Sequence, residues 1–214
     1  MKDWPKEHPK ARAMARKRAL ILSAAKAAFL KTGYAGTSME AIAQEAGISL
    51  MTLYRHAERK DDLFAAVIRG ACDPHFEEDQ RHLQALMDRP LEEILRHSAV
   101  RVQDILTRAD TVALLRVVIA EATVFPHLTE LAYQGFVAHF ERIVGWIVEQ
   151  KVPAADLQPG RSATAACLFV DRVIGSDLLR VLLGRPLPSE ADKRRRAERA
   201  CADALRALNG EDGA

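Results

Sequence analysis

Disulfide chemistry has little to work with in this chain, whose 214 residues hold three cysteines, Cys72, Cys167 and Cys201, odd in number and widely spaced. That count argues against a disulfide framework and for a reducing, cytoplasmic setting with the thiols in a core. Long apolar runs are missing as well. The best stretch, Val112 to Phe125, is interrupted by Arg116 and Glu121, and none reaches the roughly 18 residues of a membrane span, so no membrane association is expected. The opening MKDWPKEHPKARAMARKR is charged and lacks the apolar segment of a secretory signal, which points away from export. Alternating β-branched runs are absent, which removes the signal for strands and leaves an all-α chain. No nucleophile elbow, phosphate-cradling glycine loop, paired zinc ligands or dinucleotide fingerprint is present. The reading is accordingly of no enzyme, with no catalytic residue, no metal site and no cofactor. His127 and His139 lie 12 residues apart, too far to ligate from one helical turn. No internal repeat or low-complexity tract is found. The length suffices to bury about 70% of the unfolded surface, enough for a substantial core.

What is present is concentrated between Thr37 and Leu63, TSMEAIAQEAGISLMTLYRHAERKDDL. Thr37-Ser38-Met39-Glu40 has the spacing of a capping box, in which a hydroxyl and a carboxylate three residues apart satisfy free donors at a helix start. Met39, Ile42, Ala43 and Ala46 then recur at helical spacing on one face, and Gly47 suits the left-handed position just past a helix end. After Ile48, Ser49 caps a second helix running to about His56. This is the outline of a helix-turn-helix. A second helix of about two turns cannot hold itself in water, so Ile48 and Leu53 are expected to anchor it. Ser49, Leu50, Met51 and Thr52 are then free to meet base edges in a major groove, with Tyr54, Arg55 and Lys60 at phosphates. Thr37, Ser38 and His56 complete the expected DNA-facing set. An αα-corner inside a helical core would give the same spacing; charge separates the two. Residues 1–60 carry 12 Lys and Arg against 5 Asp and Glu, a net of +7, whereas the remainder carries a net of −5. A basic front on an acidic body indicates a polyanion partner. Residues 1–19 lack the large apolar face of an interfacial helix, which favours nucleic acid over a membrane surface.

Punctuation by Pro, Gly and Ser divides the chain into about nine helices. Residues 1–15 read as a flexible basic arm and 16–60 as a three-helix DNA-binding domain. Residues 61–214 read as a larger helical domain. Within the latter, a helix from Lys60 reaches the low eighties with a kink at Pro74, and others run from Pro90, from Asp110 to Thr123, and from Pro126 to about Lys151. The segment 152–160 is a loop, and two further helices cover about 161–183 and 189–208. The helix over 161–183 is apolar on more than one face, through Leu168, Phe169, Val170, Val173, Ile174, Leu178, Leu179, Val181, Leu182 and Leu183. Such a helix needs cover on both sides, from a partner subunit or from the centre of a monomeric bundle.

Gly33-Tyr34, Thr37, Ile42-Ala43, Ala46-Gly47, Leu53-Tyr54, Lys60 and Leu63 together resemble the TetR family of bacterial transcriptional regulators over about Arg18 to Leu63. Two positions depart, Ala57 in place of the usual phenylalanine and Arg59 in place of a small polar cap. Arg116-Val117-Val118-Ile119-Ala120-Glu121-Ala122 with Phe125-Pro126 is similar to the C-terminal domain of the AefR-like branch. The resemblance implies a homodimer paired through 161–183 and 189–208, a palindromic double-stranded DNA operator, and a small-molecule effector that releases the protein as a repressor. It also implies an effector cavity in the C-terminal domain. Apolar pockets carry a few convergent polar groups, and Arg116, Glu121, Phe125, Phe136, His139, Phe140, Phe169 and Arg172 are the expected contacts. A helical enzyme or small-molecule carrier with an incidental helix-turn-helix is the alternative.

Overall fold

The computed structural model describes residues 9–72 and 83–210. Among these the regular structure is entirely helical: α1 (Pro9–Thr32), α2 (Met39–Glu45), α3 (Leu50–Tyr54), α4 (Lys60–Cys72), α5 (Leu91–Thr107), α6 (Ala109–Glu121), α7 (His127–Phe136), α8 (Ala138–Lys151), α9 (Arg161–Leu182) and α10 (Glu190–Leu208). No helix among the described residues is long and apolar enough to cross a membrane. The expected kink at Pro74 lies outside the described residues.

Three expectations need correction. The arm proposed over 1–15 is helical from Pro9 onward, because proline at a helix start has its φ preset and the Ala, Arg and Lys that follow are strong helix formers. The single helix drawn from Pro126 to Lys151 is two, with Val137 at φ −110°, ψ −69° between them. Gly135, two residues upstream, weakens that turn. Helix α3 closes at Tyr54, with Arg55 as its C-cap, short of His56.

The chain divides into two compact units, one of residues up to Gly70 together with Ala113–Ala132, the other of Ala71–Val112 with Tyr133–Ala214. In the first, Ile21, Ala25, Phe29, Ile42, Leu53, Phe64 and Ile68 are almost completely buried. Phe29 meets Phe64 edge-on at 4.9 Å between centroids, and Tyr34 packs against both. Such aromatic pairs add about 0.5–1.5 kcal/mol each beyond burial. In the second, α10 packs against both α9 and α5 and buries a stripe of small side chains, Ala197, Ala200, Cys201, Ala204 and Ala207, with Cys201 Sγ 3.5 Å from Glu92 O of α5. Ser189 and Asp192 form the capping box that starts α10. Helix α9 is broken in its middle: Gly175 adopts φ 45°, ψ −161°, a conformation closed to side-chain-bearing residues without strain. Arg196 crosses the break from α10, its Nη1 donating to Arg172 O at 3.4 Å and its Nε to Asp177 Oδ2 at 3.0 Å.

Candidate nucleic-acid interface

The turn between α2 and α3 is built from its backbone. Ala46 is the C-cap of α2 and Gly47 follows at φ 64°. Gly47 N donates to Gln44 O at 3.1 Å and Ile48 N to Ala43 O at 3.0 Å, the paired bonds of a Schellman motif, which needs a left-handed residue at Gly47. Ser49 Oγ then accepts from Thr52 N at 3.3 Å and lies 2.8 Å from Thr52 Oγ1. Helix α3 spans five residues, too few to be stable alone. Leu53, fully buried, anchors it, whereas Ile48 is only half-buried. Around that anchor Met51 is 78% exposed and Tyr54 45%, with Ser49, Arg55 and His56 also exposed and Leu50 and Thr52 partly so. Ala57, at the position where the family pattern has phenylalanine, is buried.

The capping of α2 differs from the sequence reading. Ser38, not Thr37, is the N-cap, its Oγ accepting from Ala41 N at 3.1 Å. Thr37 is buried, and its Oγ1 donates to Gly33 O at 2.7 Å and pairs with Thr32 Oγ1 at 2.9 Å. The hydroxyl expected at DNA therefore locks the α1–α2 turn. Lys60 serves the same turn, its Nζ donating to Tyr34 O at 2.8 Å and to Thr37 O at 2.9 Å while lying 4.2 Å from the centre of the Tyr34 ring. An ammonium has three donors, and these two bonds use two of them.

Tyr34 and Asp61 form the centre of a network that the sequence did not announce. The Tyr34 hydroxyl donates to Asp61 Oδ1. Arg59 Nη2 reaches Asp61 Oδ2 at 2.6 Å, and His127 Nε2 stands 3.3 Å from Asp61 Oδ1. Partial burial alone would raise the Asp61 pKa; the Tyr34 hydrogen bond and the His127 and Arg59 charges outweigh it and hold the carboxyl below its ordinary range. Burial, then the bond to Asp61, push the Tyr34 phenol well above its usual pKa.

The residues expected at an effector divide between the units. Arg116, Glu121 and Phe125 belong to the first. There Glu121 Oε1 accepts from Ala35 N at 3.0 Å and Phe125 packs edge-on against Tyr34 at 5.0 Å. Phe136, Phe140 and Phe169 are buried in the second, with the His139 ring 5.5 Å from that of Phe140. Arg172 is exposed and paired with Asp203 at 2.5 Å. It lines a groove of about 510 Å³ along α9 and α10 whose other charged walls include Arg180, Arg195, Arg196 and Arg199. Of the eight expected effector contacts it is the one that does so. Among the described residues no group of three or more His, Cys, Asp or Glu is placed to hold a metal ion.

Comparison with known proteins accords with this geometry. Residues 21–67 match the family described as bacterial regulatory proteins, tetR family. Residues 93–207 match the AefR-like transcriptional repressor, C-terminal domain. Among solved structures, a TetR-family transcriptional regulator from Mesorhizobium loti is 26% identical, with 89% of this chain and 96% of that one covered at a TM-score of 0.71. The flavonoid-responsive regulator FrrA is 29% identical, with 90% and 97% covered at 0.67. FadR from Bacillus subtilis, solved with stearoyl-CoA, is 12% identical, with 88% and 98% covered at 0.63, and shares the fold.

Proposed function

Because the chain belongs to the TetR family of bacterial regulatory proteins, we propose that it is a ligand-responsive repressor that binds a palindromic operator as a dimer and is released by a small, largely apolar effector. The observation that carries this reading is α3 itself: one buried leucine, Leu53, holds a helix whose remaining side chains are exposed or partly exposed. Ser49, Leu50, Met51 and Thr52 are the base-reading group. Tyr54, Arg55, His56 and the free donor of Lys60 contact phosphates, and Ser38 holds the start of α2 beside them. The exposed run Arg12, Arg16, Lys17 and Arg18 on α1 adds sequence-independent affinity by releasing counterions.

Dimerisation through α9 and α10 is supported by the outer face of α9, where Leu168 and Leu179, with Leu183 at the C-cap, stay exposed while Phe169, Val170, Val173 and Val181 are buried. Two reading helices one turn of DNA apart, about 34–36 Å, require a fixed separation. An effector that prefers another separation shifts the equilibrium by its differential affinity, with a coupling of roughly 1–3 kcal/mol altering operator affinity about 5- to 150-fold. The flavonoid response of FrrA and the acyl-CoA held by FadR support effectors with a large apolar part.

Selection from a random DNA pool at near-physiological salt, about 0.15 M, tests the reading. It should return an inverted repeat with half-sites about 10–10.5 base pairs apart, or a multiple of that spacing. Folded protein that enriches no sequence, or only an unrepeated one, would refute it.

A further inference from the structure

We propose that Glu121, Phe125 and His127 are positioning residues for DNA reading, clamping the α1–α2 turn and the start of α4 so that α2 and α3 are held in one orientation. The inference rests on the DNA-reading role proposed above and adds residues far from α3 in sequence.

Three contacts carry it, all within the first compact unit. Gly33 lies at φ 74°, and a Cβ there would stand 2.9 Å from Glu121 Oε1. The carboxylate thus occupies space that only glycine leaves open, and accepts Ala35 N–H at 3.0 Å. Bonds from backbone N–H to an ionised carboxylate are roughly twice as strong as neutral ones. Phe125 meets the Tyr34 ring 5.0 Å away, and the His127 ring lies 5.9 Å from Tyr34 and 6.1 Å from Phe125. His127 also reaches Asp61, which holds the Tyr34 hydroxyl.

Tyr34 is the shared partner. From it the path to the reading helix is short: Lys60 ties Tyr34 O to Thr37 O, Thr37 precedes the Ser38 cap of α2, and the turn through Gly47 delivers α3. A five-residue helix with one buried anchor takes its orientation from these supports.

The test uses the full-length protein and an operator recovered by selection. The readout is the ratio of operator to non-operator affinity, because a change in overall charge shifts binding to every sequence alike. Glu121→Ala is expected to lower that ratio about 2- to 30-fold, the range of energetic coupling through residues that do not touch the ligand. Glu121→Gln, which keeps an acceptor, should restore most of it. His127→Ala, which removes both the Asp61 contact and the ring beside Tyr34, should lower the ratio as well. A ratio unchanged in both Glu121→Ala and His127→Ala, with each variant folded by circular dichroism, overturns the proposal. If the wild type selects no DNA, the repressor reading fails while the clamp is still decided by amide exchange at Ala35. Faster exchange in Glu121→Ala supports the clamp, and unaltered exchange sinks it.

Discussion

Replacing Gly175 by alanine reverses sign according to whether α9 is broken or continuous. In a continuous helix, alanine in place of glycine stabilises by about 0.4–1 kcal/mol, chiefly by restricting the unfolded chain. At φ 45°, ψ −161° the same change imposes about 1–3 kcal/mol of backbone strain. The new Cβ would also collide with Arg196 Nη1. A flexible arginine tip ordinarily moves aside at little cost, but this one is tied to Asp177 Oδ2 by Nε at 3.0 Å and Nη2 at 2.5 Å, with both side chains about four-fifths buried. Displacing it adds about 1 kcal/mol, the upper end for an exposed pair, so the net loss is about 2–4 kcal/mol. Urea unfolding at a single protein concentration reads this as a lower midpoint with an unchanged slope. A higher midpoint would refute the break. The double variant with Arg196→Ala separates strain from collision, since only the strain should survive in it.

Lys60→Met removes the charged donor of two carbonyls while keeping the length of the side chain. It should cost about 1–3 kcal/mol of stability and weaken operator and non-operator DNA together with a flatter salt dependence. An unaltered salt slope would restrict Lys60 to holding the turn. Native-state alkylation should leave both described thiols slow: burial pushes Cys201 up to about 11, and burial with Asp171 and Glu141 raises exposed Cys167. Fast labelling of the Cys201 peptide at pH 7.5, read by mass spectrometry, would contradict its packing against α5.

The sequence was legible where structure is local. Gly47 ends α2 and Ser189 caps α10 because one residue's backbone freedom or hydroxyl settles a helix terminus. The choice between Thr37 and Ser38 was not legible, since both hydroxyls suit a cap and only the fold of the α1–α2 turn turns Thr37 inward. The same applies to the break at Gly175: glycine inside an otherwise regular apolar pattern reads as a tolerated residue until Arg196 is seen beside it. Phe125 looked like a cavity aromatic by composition. Its partner, Tyr34, lies far away in the chain, and helical periodicity carries no trace of such a pairing. For the same reason the grouping of 113–132 with the N-terminal helices had no signal in local pattern.

The single anchor of α3 has a consequence for how such a surface changes over time. With Leu53 alone fully buried, substitutions at Met51, Tyr54, Arg55 or His56 fall at exposed positions, where most changes stay within about 0.5 kcal/mol of neutral. On the proposed reading of this surface, preference for a DNA sequence can then drift, or be engineered, through many intermediates that all fold. The regulator can be reassigned to a new set of genes without first becoming a different protein.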